Sequence, residues 1–78
     1  MKAVFVQIKC ELGRAYEVAA AIADAEIASE IYSTAGDFDL LVKCYLEDTI
    51  DPGHFVTESI QRIEGIRDTR TIMTFRAF

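Results

Sequence analysis

Residues 27–46, with the sequence IASEIYSTAGDFDLLVKCYL, decide the fold because they contain two strands and the turn that joins them. Residues 39–46 (DLLVKCYL) are mostly apolar and predict a strong strand, and residues 27–34 (IASEIYST) predict a weaker one. The Ala35-Gly36-Asp37 segment between them predicts a turn. A connection this short joins the two strands as an antiparallel hairpin.

The segment before the hairpin predicts one strand and one helix. Residues 3–10 (AVFVQIKC) contain β-branched and aromatic side chains in rough alternation with other residues, which is typical of a strand. Residues 11–13 (ELG) interrupt this pattern. From Arg14 to about Ala25 the sequence is rich in alanine, and its apolar side chains at helical spacing predict an amphipathic helix: Ala15, Val18, Ala19 and Ile22.

The segment after the hairpin predicts a second helix and a closing strand. Asp51 is a suitable N-cap and Pro52 is favoured at the first helical position. Gly65 is predicted to end this helix, and residues 69–76 (TRTIMTFR) to form the last strand. The side chains expected on the buried stripe of the helix are Phe55, Val56, Ile60 and Ile63.

The predicted order of elements is β-α-β-β-α-β, which is the split βαβ arrangement of ferredoxin-like α+β domains. Right-handed crossovers then predict a four-stranded antiparallel sheet of order 4-1-3-2 with both helices on one face. A length of 78 residues is enough for one domain, so we expect residues 1–78 to form a single domain.

Strand alternation leaves apolar side chains on the sheet face that the helices do not cover, called the open face below. Phe5 on the first strand, and Leu41 and Tyr45 on the third, share this face. Hydrophobic residues make up 51% of the chain, and exposed apolar patches usually mark interfaces. We therefore expect two sheets to pack face to face as a dimeric α+β barrel, with these three residues at the dimer interface.

The charge balance argues against nucleic-acid binding. Thirteen acidic residues outnumber eight basic ones, which gives a net charge of −5, and the basic residues are scattered along the chain. Nucleic-acid binding requires lysine and arginine concentrated on one face. The first apolar run, Ala3–Ile8, is too short for a signal peptide or a membrane span. We expect a cytoplasmic protein that binds neither DNA nor a membrane directly.

Residues capable of redox, metal or acid–base chemistry are few and dispersed. Cys10 and Cys44 are expected about 15 Å apart along neighbouring strands, whereas a disulfide requires Cα atoms within about 7 Å. His54 is the only histidine, it is expected to be exposed in the first turn of the second helix, and no CxxC motif is present. We therefore expect two structural thiols, no metal, no cofactor and no catalytic residue.

The pair Asp37 and Asp39, which flanks Phe38, is the most informative polar feature. In a strand these carboxylates share a face, whereas in a turn they more often bond to local backbone N–H groups. The predicted topology places this hairpin at the same end of the sheet as Thr69 and Thr71. The second strand, which enters the hairpin, and the fourth strand, which carries the threonines, occupy opposite edges of the sheet about 14 Å apart. Two adjacent subunits could therefore enclose a small molecule between these segments, whereas one subunit hardly could.

The same residues resemble a family signature. Residues 34–43 (TAGDFDLLVK) resemble the hairpin motif T-x-G-x-[YF]-D-hydrophobic of the Lrp/AsnC effector domain. Residues 63–71 (IEGIRDTRT) are similar to that family's I-x-G-V-x-x-T-x-T. A strand similar to V-x-I-K, followed by Gly13 and the alanine-rich helix, matches the family's opening. The resemblance covers essentially all 78 residues.

The resemblance implies an effector-binding module related to transcriptional regulation. Domains of this family bind amino acids or related small effectors between subunits, and they form dimers that associate into octamers or similar rings. Carried over residue by residue, the loop side of the pocket is formed by Gly36, Asp37, Phe38 and Asp39, and a neighbouring subunit supplies the hydroxyls of Thr69 and Thr71.

Two departures from the family pattern affect this expectation. Phe38 stands where tyrosine is common, which removes one hydroxyl from the pocket. The helix-turn-helix segment of the regulators is not found in this sequence, so we expect a stand-alone ligand-binding domain. Such a domain could bind the effector itself or join full-length Lrp/AsnC regulators in mixed assemblies.

Two other functions are compatible with the same fold. A small dimeric α+β-barrel enzyme would require a polar or histidine-bearing cleft between sheet and helices, whereas the helical faces here carry Ala, Val, Ile and Phe. A purely structural partner of full-length regulators would leave the polar groups at the hairpin end without a ligand. Effector binding accounts for more of the sequence than either alternative.

Overall fold

The hairpin predicted at the centre of the chain forms one side of a four-stranded antiparallel sheet, and its first strand lies at the sheet edge. The computed structural model describes all 78 residues. Its elements are β1 (Lys2–Cys10), α1 (Ala15–Asp24), β2 (Glu30–Ser33), β3 (Leu40–Leu46), α2 (Pro52–Phe55, continuing as a π-helical turn over Val56–Ile60) and β4 (Ile66–Met73).

The strand order is β2-β3-β1-β4, which confirms the predicted order 4-1-3-2 and the ferredoxin-like fold class. Val6 at the centre of β1 pairs with Val42 of β3 on one side and with Thr71 of β4 on the other. Directly paired residues share a face of the sheet, so this register determines which side chains face the helices.

The core lies between the sheet and the helices, and it is built from alternate strand positions. Twelve buried residues form one cluster, and eight partly buried hydrophobic residues pack against it. The fully buried members on β1 are Val4, Val6 and Ile8, and the helices contribute Val18, Ile22, Val56 and Ile60. No buried side-chain nitrogen or oxygen lacks a hydrogen-bond partner. The buried cluster between sheet and helices therefore supplies packing and no unpaired polar group.

The second helix is shorter than predicted. The sequence pattern predicts a helix up to Gly65, but α-helical structure ends at Phe55 and a π-helical turn follows, in which Gln61 N–H donates to the Val56 carbonyl at 2.8 Å. A π-helical turn holds more residues than an α-helical one, so the apolar spacing alone did not reveal the change. Asp51 caps the helix as predicted, because its carboxylate accepts from the His54 N–H.

Gly65 fixes where β4 begins. It has φ +100°, a region that favours glycine, and an added Cβ would lie 3.0 Å from a methyl carbon of Val18. Its carbonyl accepts from the Glu11 N–H at 2.8 Å. This bond starts the pairing of β1 with β4 immediately after Gly65, so β4 spans Ile66–Met73 and the predicted range 69–76 was three residues too late.

β2 is also shorter than the predicted range 27–34, since only Glu30–Ser33 pair with β3. Ile27 and Ala28 instead pack against the core as part of the connection from α1. The apolar character of residues 27–28 therefore reflects burial and not strand pairing.

Candidate functional site

The loop between β2 and β3 closes on itself through backbone and side-chain hydrogen bonds. The Thr34 N–H donates to the Asp39 carbonyl, and the Thr34 hydroxyl to the Phe38 carbonyl, each at 2.9 Å. Gly36 has φ +102°, which is required by the turn and is readily adopted only by glycine. The loop therefore presents Asp37 and Phe38 from a defined backbone.

Asp39 fastens this loop to the end of β1. Its Oδ2 accepts from the Cys10 N–H at 2.7 Å, and its own N–H donates to the Ile8 carbonyl at 2.8 Å. Lys9 adds a third link, because its ammonium donates to the Asp37 carbonyl at 3.0 Å. Of the two carboxylates predicted for the site, that of Asp39 is engaged with backbone, whereas that of Asp37 forms no ion pair within the chain.

Thr69 and Thr71 lie at the same end of the sheet as the loop, but on the helix side of edge strand β4. Thr69 pairs with Ile8 and Thr71 with Val6, and both partners face the helices. The Thr69 hydroxyl accepts from the Gln61 side-chain amide at 2.7 Å, and Thr71 is exposed. One chain therefore does not bring these hydroxyls together with the loop.

A cavity of about 380 Å³ opens beside the loop on the open face. Gln7, Leu41 and Arg70 come from three neighbouring strands and form its floor, and loop residues including Asp37 and Phe38 form its wall. The Arg70 guanidinium lies over the Phe38 ring, 5.2 Å from its centroid. Arg70 and Gln7 are not among the site residues that the family motifs predict. Strand alternation could have found Arg70, because the residue between two helix-side threonines must project from the opposite face.

A second groove, of about 430 Å³, lies at the other end of the open face and contains the predicted interface residues Phe5 and Tyr45. Lys43 lies between them, with its ammonium 4.9 Å from the Tyr45 ring centroid and 3.3 Å from a carboxylate oxygen of Glu30. Interactions with the Tyr45 side chain and then with Glu30 raise the pKa of the Lys43 ammonium. Phe75, in the segment after β4, lines the same groove and is fully exposed.

The thiols and the histidine take no part in either cavity. Cys10 and Cys44 are free and buried, and burial is the main cause that raises the pKa of each thiol, with the Asp39 charge adding to it at Cys10. Cys44 pairs with Val4, six residues from Cys10 along β1, which is about 20 Å. His54 is exposed. No group of three or more His, Cys, Asp or Glu side chains is arranged to hold a metal ion, and no helix is long and apolar enough to cross a membrane.

A sequence profile of the Lrp/AsnC ligand-binding domain matches residues 3–78. The chain belongs to this family. The match confirms the resemblance carried by the hairpin and tail motifs. The Lrp/AsnC family consists of ligand-binding domains of transcriptional regulators and not of enzymes, which agrees with the sequence-based prediction that this chain has no catalytic function.

Individual relatives agree with this assignment. The HTH-type transcriptional regulator FL11 of Pyrococcus abyssi is 31% identical over 72 residues, which are 92% of this chain and 47% of the regulator. The chain therefore spans about half the length of the curated relatives it matches. The crystal structure of TTHA0845 from Thermus thermophilus superposes with a TM-score of 0.89 at 33% identity, covering 100% of this chain and 98% of that one.

A more distant structure contains a bound amino acid. The transcriptional regulator NMB0573 of Neisseria meningitidis, solved as a complex with L-Met, matches with a TM-score of 0.81 over 96% of this chain and 50% of its own. Its sequence identity is 18%, so this comparison concerns the fold alone.

Proposed function

We propose that this Lrp/AsnC ligand-binding domain binds an amino acid or a closely related small effector at the hairpin end of the sheet, between subunits of a homo-oligomer. The loop side of the site comprises Gly36, Asp37, Phe38 and Asp39. A neighbouring subunit contributes the hydroxyls of Thr69 and Thr71.

The observation that carries this proposal is the fixed loop beside an open cavity. Asp39 and Lys9 attach the loop to β1, and Asp37 lines a cavity of about 380 Å³ without an ion-pair partner. Small-molecule sites commonly occupy about 300–1,000 Å³ and carry a few placed polar groups. The Neisseria meningitidis regulator, which shares the fold, was solved as a complex with L-Met, and we propose the same class of ligand for this chain.

The chemistry of a zwitterion suits these groups. An ammonium requires carboxylate or carbonyl oxygens, and Asp37 has a free carboxylate for it, whereas the Asp39 carboxylate holds the loop through the Cys10 N–H. A carboxylate requires hydroxyls and N–H groups, which Thr71 and the backbone near Gly36 can supply. Gly36 would also allow the ligand to approach the backbone closely.

Two subunits are required because Thr69 and Thr71 lie on the helix side of β4, away from the cavity of their own chain. We propose that the open face forms a dimer through Phe5, Leu41 and Tyr45, and that dimers associate further so that the β4 edge of one chain meets the loop of another. The fully exposed Phe75 beside the groove at Tyr45 supports an interface on this face.

Any effect on transcription is proposed to pass through a DNA-binding segment and not through this domain's own surface. The net charge is −5, and three of the eight basic side chains, Arg14, Lys43 and Arg62, are paired with carboxylates. Counterion release therefore gives this surface little affinity for duplex DNA. Full-length Lrp/AsnC regulators are the proposed partners in mixed assemblies.

Thermal melting in the presence of each of the twenty standard amino acids, the chiral ones as L-enantiomers, tests this function. A ligand at about 100 times its Kd stabilises the folded state by roughly 2.7 kcal/mol per site, so we expect a rise of several degrees in Tm for one amino acid or a small group of them. The matched control is D-enantiomers at the same concentration. If no amino acid or related metabolite raises Tm, the effector-binding proposal is wrong and a structural role takes its place.

A further inference from the structure

We propose that Arg70, held against Phe38 and flanked by Gln7, binds the carboxylate of the effector from the open face of the sheet. This inference rests on the proposed function and adds to it the residue that selects a free acid. The resulting ligand class is the free α-amino acid, in contrast to amines, amides and esters of the same size.

Arg70 and Gln7 belong to one surface because they are direct cross-strand partners. Gln7 on β1 pairs with Arg70 on one side and with Leu41 on the other, which places all three side chains on the open face. The loop then brings Phe38 over this row, with its ring 5.2 Å from the guanidinium carbon. Stacking on an aromatic ring restricts the orientations of an arginine and leaves its N–H groups directed outward.

Arg70 differs from the paired arginines in having no carboxylate partner. Arg14 pairs with Glu17 and also with Glu11 and Glu64, and Arg62 pairs with Glu58. No carboxylate oxygen lies within ion-pair distance of Arg70, and its guanidinium donates no hydrogen bond within the chain. A guanidinium presents five donors in a planar fork that matches a carboxylate.

Dimer formation through the open face would require an anion beside the Arg70 guanidinium. Covering the open face removes water from Arg70, and a buried charge without a partner is strongly unfavourable. A ligand carboxylate would supply that partner. The cavity pairs one guanidinium, Arg70, with one free carboxylate, Asp37, so its charges complement a zwitterion of zero net charge.

In this site the contacts to the ligand come from two chains. Arg70 is part of the same chain as the loop, so the ligand carboxylate has a charged partner within one subunit. The hydroxyls of Thr69 and Thr71 then come from the neighbouring chain and complete the enclosure. Gln7 carries both a donor and an acceptor on its amide, and it lies in the cavity floor where it can contact the ligand beside the carboxylate.

Calorimetric titration of Arg70→Gln tests the assignment, with Arg67→Gln as the matched control. Arg67 is an exposed arginine of the same strand outside the cavity, so its replacement removes the same charge elsewhere. The probes are the amino acid that raises Tm most and its methyl ester. We expect Arg70→Gln to weaken binding of the free acid at least tenfold and Arg67→Gln to change it less than twofold. The wild type should bind the ester at least tenfold more weakly than the acid.

Three results would overturn the assignment. Arg70→Gln could bind the free acid within twofold of the wild type, or the wild type could bind ester and acid equally. The third contradicting result would come from light scattering. A smaller oligomer for Arg70→Gln than for the wild type would mean that the guanidinium pairs with a carboxylate of another subunit.

Failure of Arg70 as the carboxylate-binding residue can be distinguished from failure of the proposed function. If no amino acid binds the wild type, the titrations are repeated with the corresponding 2-oxo acids, which keep the carboxylate and lack the ammonium. Binding of a 2-oxo acid that is lost in Arg70→Gln would support Arg70 while rejecting amino acids as ligands. Absence of binding by every carboxylate at millimolar concentration would reject both.

Discussion

The two faces of the sheet carry different kinds of side chain, although they are built from the same strands. On β1, Val4, Val6 and Ile8 face the helices and are fully buried. The residues between them, Phe5 and Gln7, lie on the open face and are only half-buried in the single chain. The buried cluster on the helix-covered face is aliphatic apart from two thiols, whereas the open face combines aromatic, amide and charged groups.

Under the proposed function, the helix-covered core serves stability and the open face serves recognition within one small sheet. Substitutions on the helix-covered face should change the free energy of unfolding, because that face holds the whole buried cluster. Substitutions on the open face, and of exposed residues at the hairpin end of the sheet such as Thr71 on the helix side of β4, should change assembly or ligand binding.

Ile22→Ala should destabilise the protein most. Ile22 on α1 is fully buried in the core, and removing such a side chain typically costs about 2–5 kcal/mol through lost burial and the cavity left behind. Urea unfolding at one fixed protein concentration, followed by circular dichroism, measures the change. Tyr16→Ala on the exposed side of α1 is the control, with an expected change within about 0.5 kcal/mol. Equal stability of the two variants would contradict the description of the core.

Tyr45→Asp should weaken the dimer without unfolding the chain. The substitution places a carboxylate in the proposed open-face interface, where it would be buried without a partner. We expect at least a tenfold rise in the dimer Kd, or about 1.4 kcal/mol, measured by sedimentation over a concentration series. Tyr16→Asp introduces the same charge away from the open face and should leave the dimer Kd unchanged. A wild-type protein that is monomeric at micromolar concentration would refute the interface.

Thr71→Val should reduce effector affinity while leaving the oligomer intact. It removes one hydroxyl, and a single hydrogen bond is worth roughly 0.5–1.5 kcal/mol, so the ligand Kd should rise by a factor between about two and ten. Calorimetry measures the affinity and light scattering checks the assembly. Thr57→Val, at an exposed position of the π-helical turn, is the control. An unchanged Kd in Thr71→Val would remove this threonine from the site.

The two thiols should be protected in the folded protein. Burial raises the pKa of Cys10 and of Cys44 above the usual 9.0, so the thiolate fraction at pH 8 falls below that of a free cysteine. We expect both to react with a chromogenic disulfide roughly tenfold or more slowly than in urea, with the folded-state rate still rising above pH 9. Fast reaction of either thiol at pH 8 would show that the helix-covered face opens readily.

Binary patterning was sufficient to predict the buried faces, and the order of elements with right-handed crossovers was sufficient to predict the sheet order. Val6, Val42 and Ile22 lie where their spacing placed them, because a period of two or of 3.6 residues directly determines which face is apolar. The ends of α2 and β4 were harder to predict. They depend on the π-helical turn at Val56 and on the contact of Gly65 with Val18, and both arise from tertiary packing that no local pattern contains.

The candidate site was predictable only in part. The loop motif identified Gly36 and its neighbours, but a one-dimensional motif does not say which face of an edge strand each residue occupies. The register of β4 against β1 determines the face of each residue: it places Thr69 and Thr71 on the helix side and Arg70 beside Gln7 on the open face. The engagement of Asp39 with the Cys10 N–H likewise required the three-dimensional approach of β1 to the loop.

Amide chemical-shift mapping tests the location of the effector most directly. Isotope-labelled protein is titrated with the amino acid that raises Tm most, and shifts are followed along the chain. We predict the largest changes in residues 34–39 and at Gln7 and Arg70, with little change near Tyr45 or Thr74 at the other end of the open face. Largest shifts at that other end, or no shifts with any of the twenty amino acids, would contradict an effector site at the hairpin end.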